Sequence, residues 1–224
     1  MVGSAVWRAL ENKGYTNLVG RSSKELDLKD QQAVLNFLQT EKPEAIIDAA
    51  ARVGGILANS DFPYQFLMEN MQIQNSLIDS ALKSGIDKFV FLGSSCIYPK
   101  FAPQPLKEEY LLTDSLEPTN EWYAIAKITG VKVCQAIRNQ FKKDYVRLMP
   151  TNLYGYLDNF DWQTSHVLPA MIRKFHEAKK NKNADVVLWG SGTPMREFLF
   201  VDDMADAVVY ALENNLPEYL YNIG

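Results

Sequence analysis

Tyr123 and Lys127 stand four residues apart in the stretch EWYAIAK. On a helix, residues at i and i+4 share one face, about 5–6 Å apart at Cβ. A phenol has an ordinary pKa of about 10. A neighbouring ammonium and the positive end of a helix both favour its phenolate, which would suit it to proton transfer near neutral pH. Thr119 or Asn120 is placed to cap such a helix, since short polar side chains accept the free N–H groups of a first turn. Taken alone, the spacing is common, and the pair reads better as an amphipathic helix with a half-buried tyrosine and a solvated lysine.

Other stretches offer chemistry of their own. In GSSCIYP, Ser94 and Ser95 supply hydroxyls and Cys96 a thiol just after an apolar run. Most lone cysteines are packing residues; Cys134, within a helical stretch, is read that way, and Cys96, among hydroxyls, is read as functional. Gly54 and Gly55 in AAARVGGILAN permit either an unusual turn or close packing. Arg21, Ser22, Ser23 and Lys24 follow the run NLVG. In dinucleotide folds an acid at this point accepts the ribose hydroxyls of NAD, whereas a cation suits the 2′-phosphate of NADP. NADP is therefore favoured over NAD, with a plain polar turn as the alternative.

These groups need a frame. Apolar runs at 17–20, 45–50, 88–94, 145–149 and 185–190 read as strands buried on both faces, the mark of a parallel sheet. Helical patterns lie near 1–14, 30–41, 62–84, 120–141, 165–180 and 202–214. The alternation predicts an α/β, doubly wound parallel sheet of the Rossmann type. In such sheets the ligand binds beyond the carboxyl ends of the strands, which is where Ser94 and Cys96 fall. Gly3 stands where the last glycine of a phosphate-binding turn would be, with no strand before it. The expected fold thus lacks its first strand, and two inner strands left unpaired would fold poorly.

Composition narrows the classes. The 224 residues are 47% hydrophobic, with 23 Lys and Arg against 27 Asp and Glu and a net charge of -4. Without a positive face, generic nucleic-acid binding is not expected. No apolar run nears the roughly 20 residues of a membrane span, and the start has no secretory-signal pattern. Two cysteines form no disulfide framework, and a cytoplasmic setting is expected.

The motifs VGGI, GSSCIYPK, EPTN, YAIAK, MPTNLYG, DNF, SHVLPA, WGSGTPMREF and VDDMA occur in this order. Together they resemble the GDP-L-fucose synthase family of the extended short-chain dehydrogenase/reductase superfamily, over the whole chain. The resemblance implies NADPH-dependent 3,5-epimerisation and 4-reduction of GDP-4-keto-6-deoxy-D-mannose to GDP-L-fucose. It implies that Tyr123 protonates the C4 oxygen, that Lys127 lowers the Tyr123 pKa and binds the nicotinamide ribose, and that Ser94 hydrogen-bonds the same oxygen. It gives Cys96 and His166 the inversions at C3 and C5, both residues being of types that titrate near neutral pH.

For NADP the resemblance implies Gly3, Arg21, Ser23, Lys24, Asp27 and Leu28, then Leu92, Gly93, Ser94 and Ser95. Lys127, Pro150, Thr151, Asn152, Leu153 and His166 complete that set. It implies Lys174, Trp189 and Arg196 for the GDP portion, Arg196 having an ion pair with Asp202 or Asp203 as its structural alternative. No metal is expected. Residues 1–164 would form the NADP-binding domain and residues 165–224 a partial substrate-binding region with a return helix. Further chain is expected before Met1 and beyond Gly224, and NADPH binding by these residues alone is expected to be weak. The helices near 62–84 and 120–141 would pair in a homodimer as a four-helix bundle. Tyr156-Leu157 and Ser23 depart from the family pattern, which often has Pro-His and sometimes arginine there; Lys24 or Arg21 would compensate for Ser23. The alternatives are a nucleotide-sugar 4-epimerase or 4,6-dehydratase, against which Cys96 with His166 speaks, and a non-catalytic nucleotide-binding module.

Overall fold

A computed structural model of the chain describes residues 1–182, 185–188 and 190–224. Its organising element is β2 (Lys88–Leu92), whose sequence KFVFL is buried on both faces. Phe89 and Phe91 enter one core with Val34, Leu38, Ile78 and Val131. Val90 and Leu92 enter a second core with Val6, Leu10, Met204 and Val208. The period of two thus splits one apolar run between two hydrophobic layers. The first layer comes from α2 (Gln31–Glu41), α4 (Pro63–Lys83) and α5 (Glu121–Phe141). The second comes from α1 (Val2–Asn12) and α7 (Val201–Glu213).

Beside β2 lie β1 (Ala45–Asp48), β3 (Asp144–Pro150) and β6 (Leu220–Ile223), in the order β1-β2-β3-β6. All pairs are parallel, with Asp48 opposite Phe91 and Leu92 opposite Leu148. Their carboxyl ends therefore open on one edge. A small parallel pair, β4 (Asn152–Tyr154) with β5 (Phe198–Phe200), extends from β3. Helix α3 (Ile56–Asp61) precedes α4, and α6 (Val167–Lys180) follows the loop after β4. Among the described residues no helix is long and apolar enough to cross a membrane.

Local chemistry fixes several ends. Asp30 caps α2 by accepting from the Ala33 N–H at 3.0 Å, and Pro63 opens α4. Asn120 is the N-terminal cap residue of α5, but the side-chain hydrogen bond expected of it is not made. At Gly130 that helix lies hard against the sheet, where an added Cβ would fall 2.4 Å from Phe91 Cζ. At the amino edge of the sheet, Asp144 bridges Lys88 of β2 and Arg138 of α5.

Two expected strands do not form. Residues 17–20 pair with no strand, because strand composition yields a strand only where a neighbour supplies the hydrogen bonds. Residues 185–188 form no strand either, and Val187 is 77% exposed. The short strands β4, β5 and β6 lay below what the apolar pattern distinguishes.

Candidate active site

Three strand ends meet at the carboxyl edge. β1 ends in Asp48, β2 runs into Gly93-Ser94, and β3 runs through Pro150 to Thr151. Ser94 Oγ accepts from the Cys96 N–H at 3.4 Å and starts a 3-10 turn over Ser95–Ile97. Helix α5 brings Tyr123 and Lys127 onto the same edge.

Lys127 is buried at 3% exposure. Its Nζ donates to the Leu92 carbonyl at 2.8 Å and sits 4.8 Å from the Phe91 ring centre and 5.9 Å from the Tyr123 ring centre. The carbonyl and the two rings offset only part of the lost hydration. Burial lowers the Lys127 pKa, opposed chiefly by Asp48 and then by Cys96 and Cys134.

The Tyr123 ring stands edge-on to Phe66 at 6.4 Å between centres. Its pKa lies well above the ordinary phenol value, first through burial and then through Cys96 and Asp48. This runs against the expectation of a lowered phenol: burial raises it, and the Lys127 ammonium gives its hydrogen bond to the Leu92 carbonyl. Cys96 is corrected in the same sense. Burial pushes its thiol up to about 11, against the weaker pull of Ser94 and Lys127. Ser94, Cys96, Tyr123 and Lys127 thus form one cluster.

His166 enters from another element, as the N-terminal cap residue of α6. Neither Thr164 nor Ser165 caps this helix; His166 occupies the cap position, and the Thr164 hydroxyl donates to Asp161 at 3.0 Å. This loop docks on Gly54-Gly55. The Gly55 N–H donates to the Thr164 carbonyl at 3.2 Å, and a Cβ on Gly55 would lie 2.7 Å from the Ser165 carbonyl oxygen. Gly55 has φ -67, so close approach explains this glycine rather than a special turn. Loss of hydration lowers the His166 pKa and Asp158 pulls it back up, leaving the imidazole neutral at pH 7.

The remaining expected residues spread around this edge. Gly3, in the first turn of α1, lies where its Cβ would be 3.8 Å from the Ala49 Cβ, so that helix start reaches the end of β1. Arg21 is committed to Glu41 at 2.8 Å and to the Gly20 carbonyl, while Ser23 and Lys24 are exposed. Asp27 accepts from the Lys29 N–H at 3.0 Å, and Leu28 packs on the core. The Thr151 N–H donates to Ile223 at 3.1 Å, Asn152 donates to Glu197 at 3.0 Å, and Leu153 packs toward the second core. Lys174 lies on α6. Arg196 is exposed and donates to the Met195 carbonyl. The alternative partner Asp202 is taken by Arg8 at 2.7 Å. Trp189 lies outside the described residues. Among the described residues no group of His, Cys, Asp or Glu could hold a metal.

Asp48 escaped the sequence reading. It is 2% exposed, and burial raises its carboxyl pKa against the pull of Lys127 and the Ala50 N–H. The available signal was a lone acid inside the apolar run AIIDAA. Two further buried oxygens near the edge, Asn120 Oδ1 and Thr151 Oγ1, have no hydrogen-bond partner.

The signature of the NAD dependent epimerase/dehydratase family matches residues 1–224. GDP-L-fucose synthase 1 of Arabidopsis thaliana is 57% identical over 224 residues, spanning 100% of this chain and 69% of its own length. GDP-L-fucose synthase of Escherichia coli strain K12 is 53% identical over 213 residues, covering 95% and 66%. The crystal structure of a GDP-L-fucose synthetase from Naegleria fowleri bound to NADP superposes with a TM-score of 0.88 at 28% identity, covering 99% of this chain and 72% of that one.

Proposed function

The chain belongs to the NAD dependent epimerase/dehydratase family, and from that premise we propose that it converts GDP-4-keto-6-deoxy-D-mannose to GDP-L-fucose. The reaction inverts C3 and C5 and reduces C4 with NADPH. The observation that carries this reading is the cluster of Ser94, Cys96, Tyr123 and Lys127 in a chain 57% identical to a GDP-L-fucose synthase. A plain 4-epimerase or a non-catalytic module gives Cys96 and His166 no task.

The site suits a dinucleotide. The buried, unpartnered Thr151 Oγ1 and the backbone of Pro150–Leu153 offer polar groups to a nicotinamide. Lys127 offers an ammonium to its ribose. Ser23 and Lys24, both exposed, are free to meet the 2′-phosphate, with Arg21 joining if it leaves Glu41. When bound, NADPH supplies the hydride for C4.

Tyr123 donates a proton to the C4 oxygen, and its raised pKa means that it enters the reaction protonated. Ser94 donates a hydrogen bond to the same oxygen. The C4 ketone acidifies the hydrogens on C3 and C5, so each inversion needs a proton removed from one face and returned to the other. At neutral pH the Cys96 thiol holds its proton while His166 lacks one. The pair therefore starts as one acid and one base. Lys174, Trp189 and Arg196 hold the GDP portion, a guanidinium suiting a diphosphate by its two-pronged donors.

Residues 1–164 serve the dinucleotide and residues 165–224 the sugar nucleotide. The exposed apolar side chains Tyr64 and Met68 of α4 and Trp122 and Ile125 of α5 suit pairing with a second copy, and the cytoplasm suits a chain with two free thiols. The test is NADPH consumption by the full-length product of this gene with GDP-4-keto-6-deoxy-D-mannose. Consumption dependent on that sugar supports the reading; a folded protein that consumes none contradicts it.

A further inference from the structure

Asp48 is a buried acid to which no step above gives a role. It is the last residue of β1, and its Cα pairs with Phe91 of β2. Neighbouring positions of parallel strands send their side chains to the same face. Ile46 and Phe91 both enter the core under α4 and α5, so Asp48 leaves the sheet on the face that those helices cover. That is where Lys127 Nζ lies, 4.8 Å from the Phe91 ring centre. One carboxylate oxygen accepts from the Ala50 N–H at 3.1 Å; the other, Oδ2, is buried with no hydrogen-bond partner. A carboxyl that merely capped a turn would not need a second oxygen held away from water.

We infer that Asp48 is a positioning residue, the buried counter-ion that keeps the Lys127 ammonium charged and seated at the Leu92 carbonyl beneath Tyr123. The inference deepens the proposed reduction and rests on it for the role of Lys127. The other titratable groups facing this pair are Cys96 from the turn after β2 and Tyr123 and Cys134 from α5. Arg147 of β3 faces Cys134. Burial drives the Asp48 pKa up and the Lys127 pKa down, and each is opposed by the other. With the Asp48 charge gone, desolvation of the ammonium is opposed chiefly by the Leu92 carbonyl and the two rings. Lys127 then loses its proton at a lower pH, and the C4 oxygen and phenol lose the cation that stabilises charge in the transition state.

The test needs no substrate. Protein carrying 13C-labelled lysine is titrated by NMR, with the Lys127 Cε signal identified by its loss in Lys127→Met. In Asp48→Asn the midpoint should fall by about one pH unit or more, as expected when an opposite charge within several ångströms is removed. Asp48→Ala should give the same shift, because the effect lies in the charge and not in the shape. In the unmodified protein the labelled Asp48 carboxyl carbon should show a second inflection at the Lys127 midpoint, a measurement independent of how either variant folds. An unchanged midpoint in Asp48→Asn, a shift in Asp48→Ala alone, or no second inflection would overturn the inference. The alkaline limb of NADPH-dependent reduction should move down with the midpoint in Asp48→Asn. A moved midpoint with an unmoved limb would overturn the positioning role. An absence of reduction in the unmodified protein, with the NMR shifts intact, would instead count against the proposed function.

Discussion

The two edges of one sheet hold buried charge in opposite ways. At the amino edge, Asp144 takes Lys88 and Arg138, whose remaining donors reach the Asn214 and Leu216 carbonyls at 2.7 Å. At the carboxyl edge, Asp48, Asn120 and Thr151 keep oxygens without partners, and Tyr123, Cys96 and Lys127 sit away from their ordinary pKa values. The same strands, β2 and β3, run through both. Satisfied charge ties elements together, whereas unsatisfied charge is retained where a ligand or a proton transfer gives it a task. On the proposed function, the amino-edge bridge serves stability and the carboxyl-edge cluster serves chemistry.

Substitutions that touch one edge should separate these properties. Tyr123→Phe removes the proposed proton donor and leaves the ring against Phe66. Reduction should fall about 10²–10⁴-fold, the usual weight of a general acid, with an unchanged urea midpoint. Asp144→Leu leaves Lys88 and Arg138 facing each other without a counter-ion. Since these side chains are only 14–21% exposed, stability should drop by about 3 kcal/mol in urea unfolding, while turnover per folded molecule holds. Gly130→Ala blurs the division. Its Cβ would meet Phe91 Cζ at 2.4 Å, costing about 2 kcal/mol of overpacking and lifting Lys127 from Leu92, so stability and reduction should fall together. Loss of only one of them would show that α5 transmits nothing between the edges.

The mildest probe is alkylation of Cys96 by iodoacetamide, followed by mass spectrometry. With its thiol held up to about 11, the rate should rise tenfold per pH unit from neutral until near that value, since only the thiolate reacts. A rate already level at pH 8 would mean an activated thiol, unlike Cys134, which burial pushes up to about 12, and would contradict a Cys96 that enters the reaction protonated.

Much of this was legible in the residues, for reasons that also mark where reading stops. Helices such as α5 announce themselves by a repeated apolar face, and β2 by an uninterrupted apolar run between two layers. Residues 17–20 have the same composition and no ladder, because pairing is a property of the neighbour and not of the segment. The i,i+4 spacing put Tyr123 and Lys127 on one face. It could not show that the ammonium would turn to the Leu92 carbonyl, nor that burial would dominate the phenol, since both depend on β2. Asp48 was hidden for a related reason. Its significance comes from standing opposite Phe91, a register that no local stretch reveals.

The central claim is that one edge performs two inversions and one reduction. The direct measurement is to run the full-length protein with NADPH and GDP-4-keto-6-deoxy-D-mannose in heavy water and locate deuterium in the product by NMR. The account predicts label at both C3 and C5 with NADPH consumed, and loss of label in Cys96→Ser and His166→Asn. Reduction with no label at either carbon would contradict it, and Cys96 and His166 would then have no part in the chemistry.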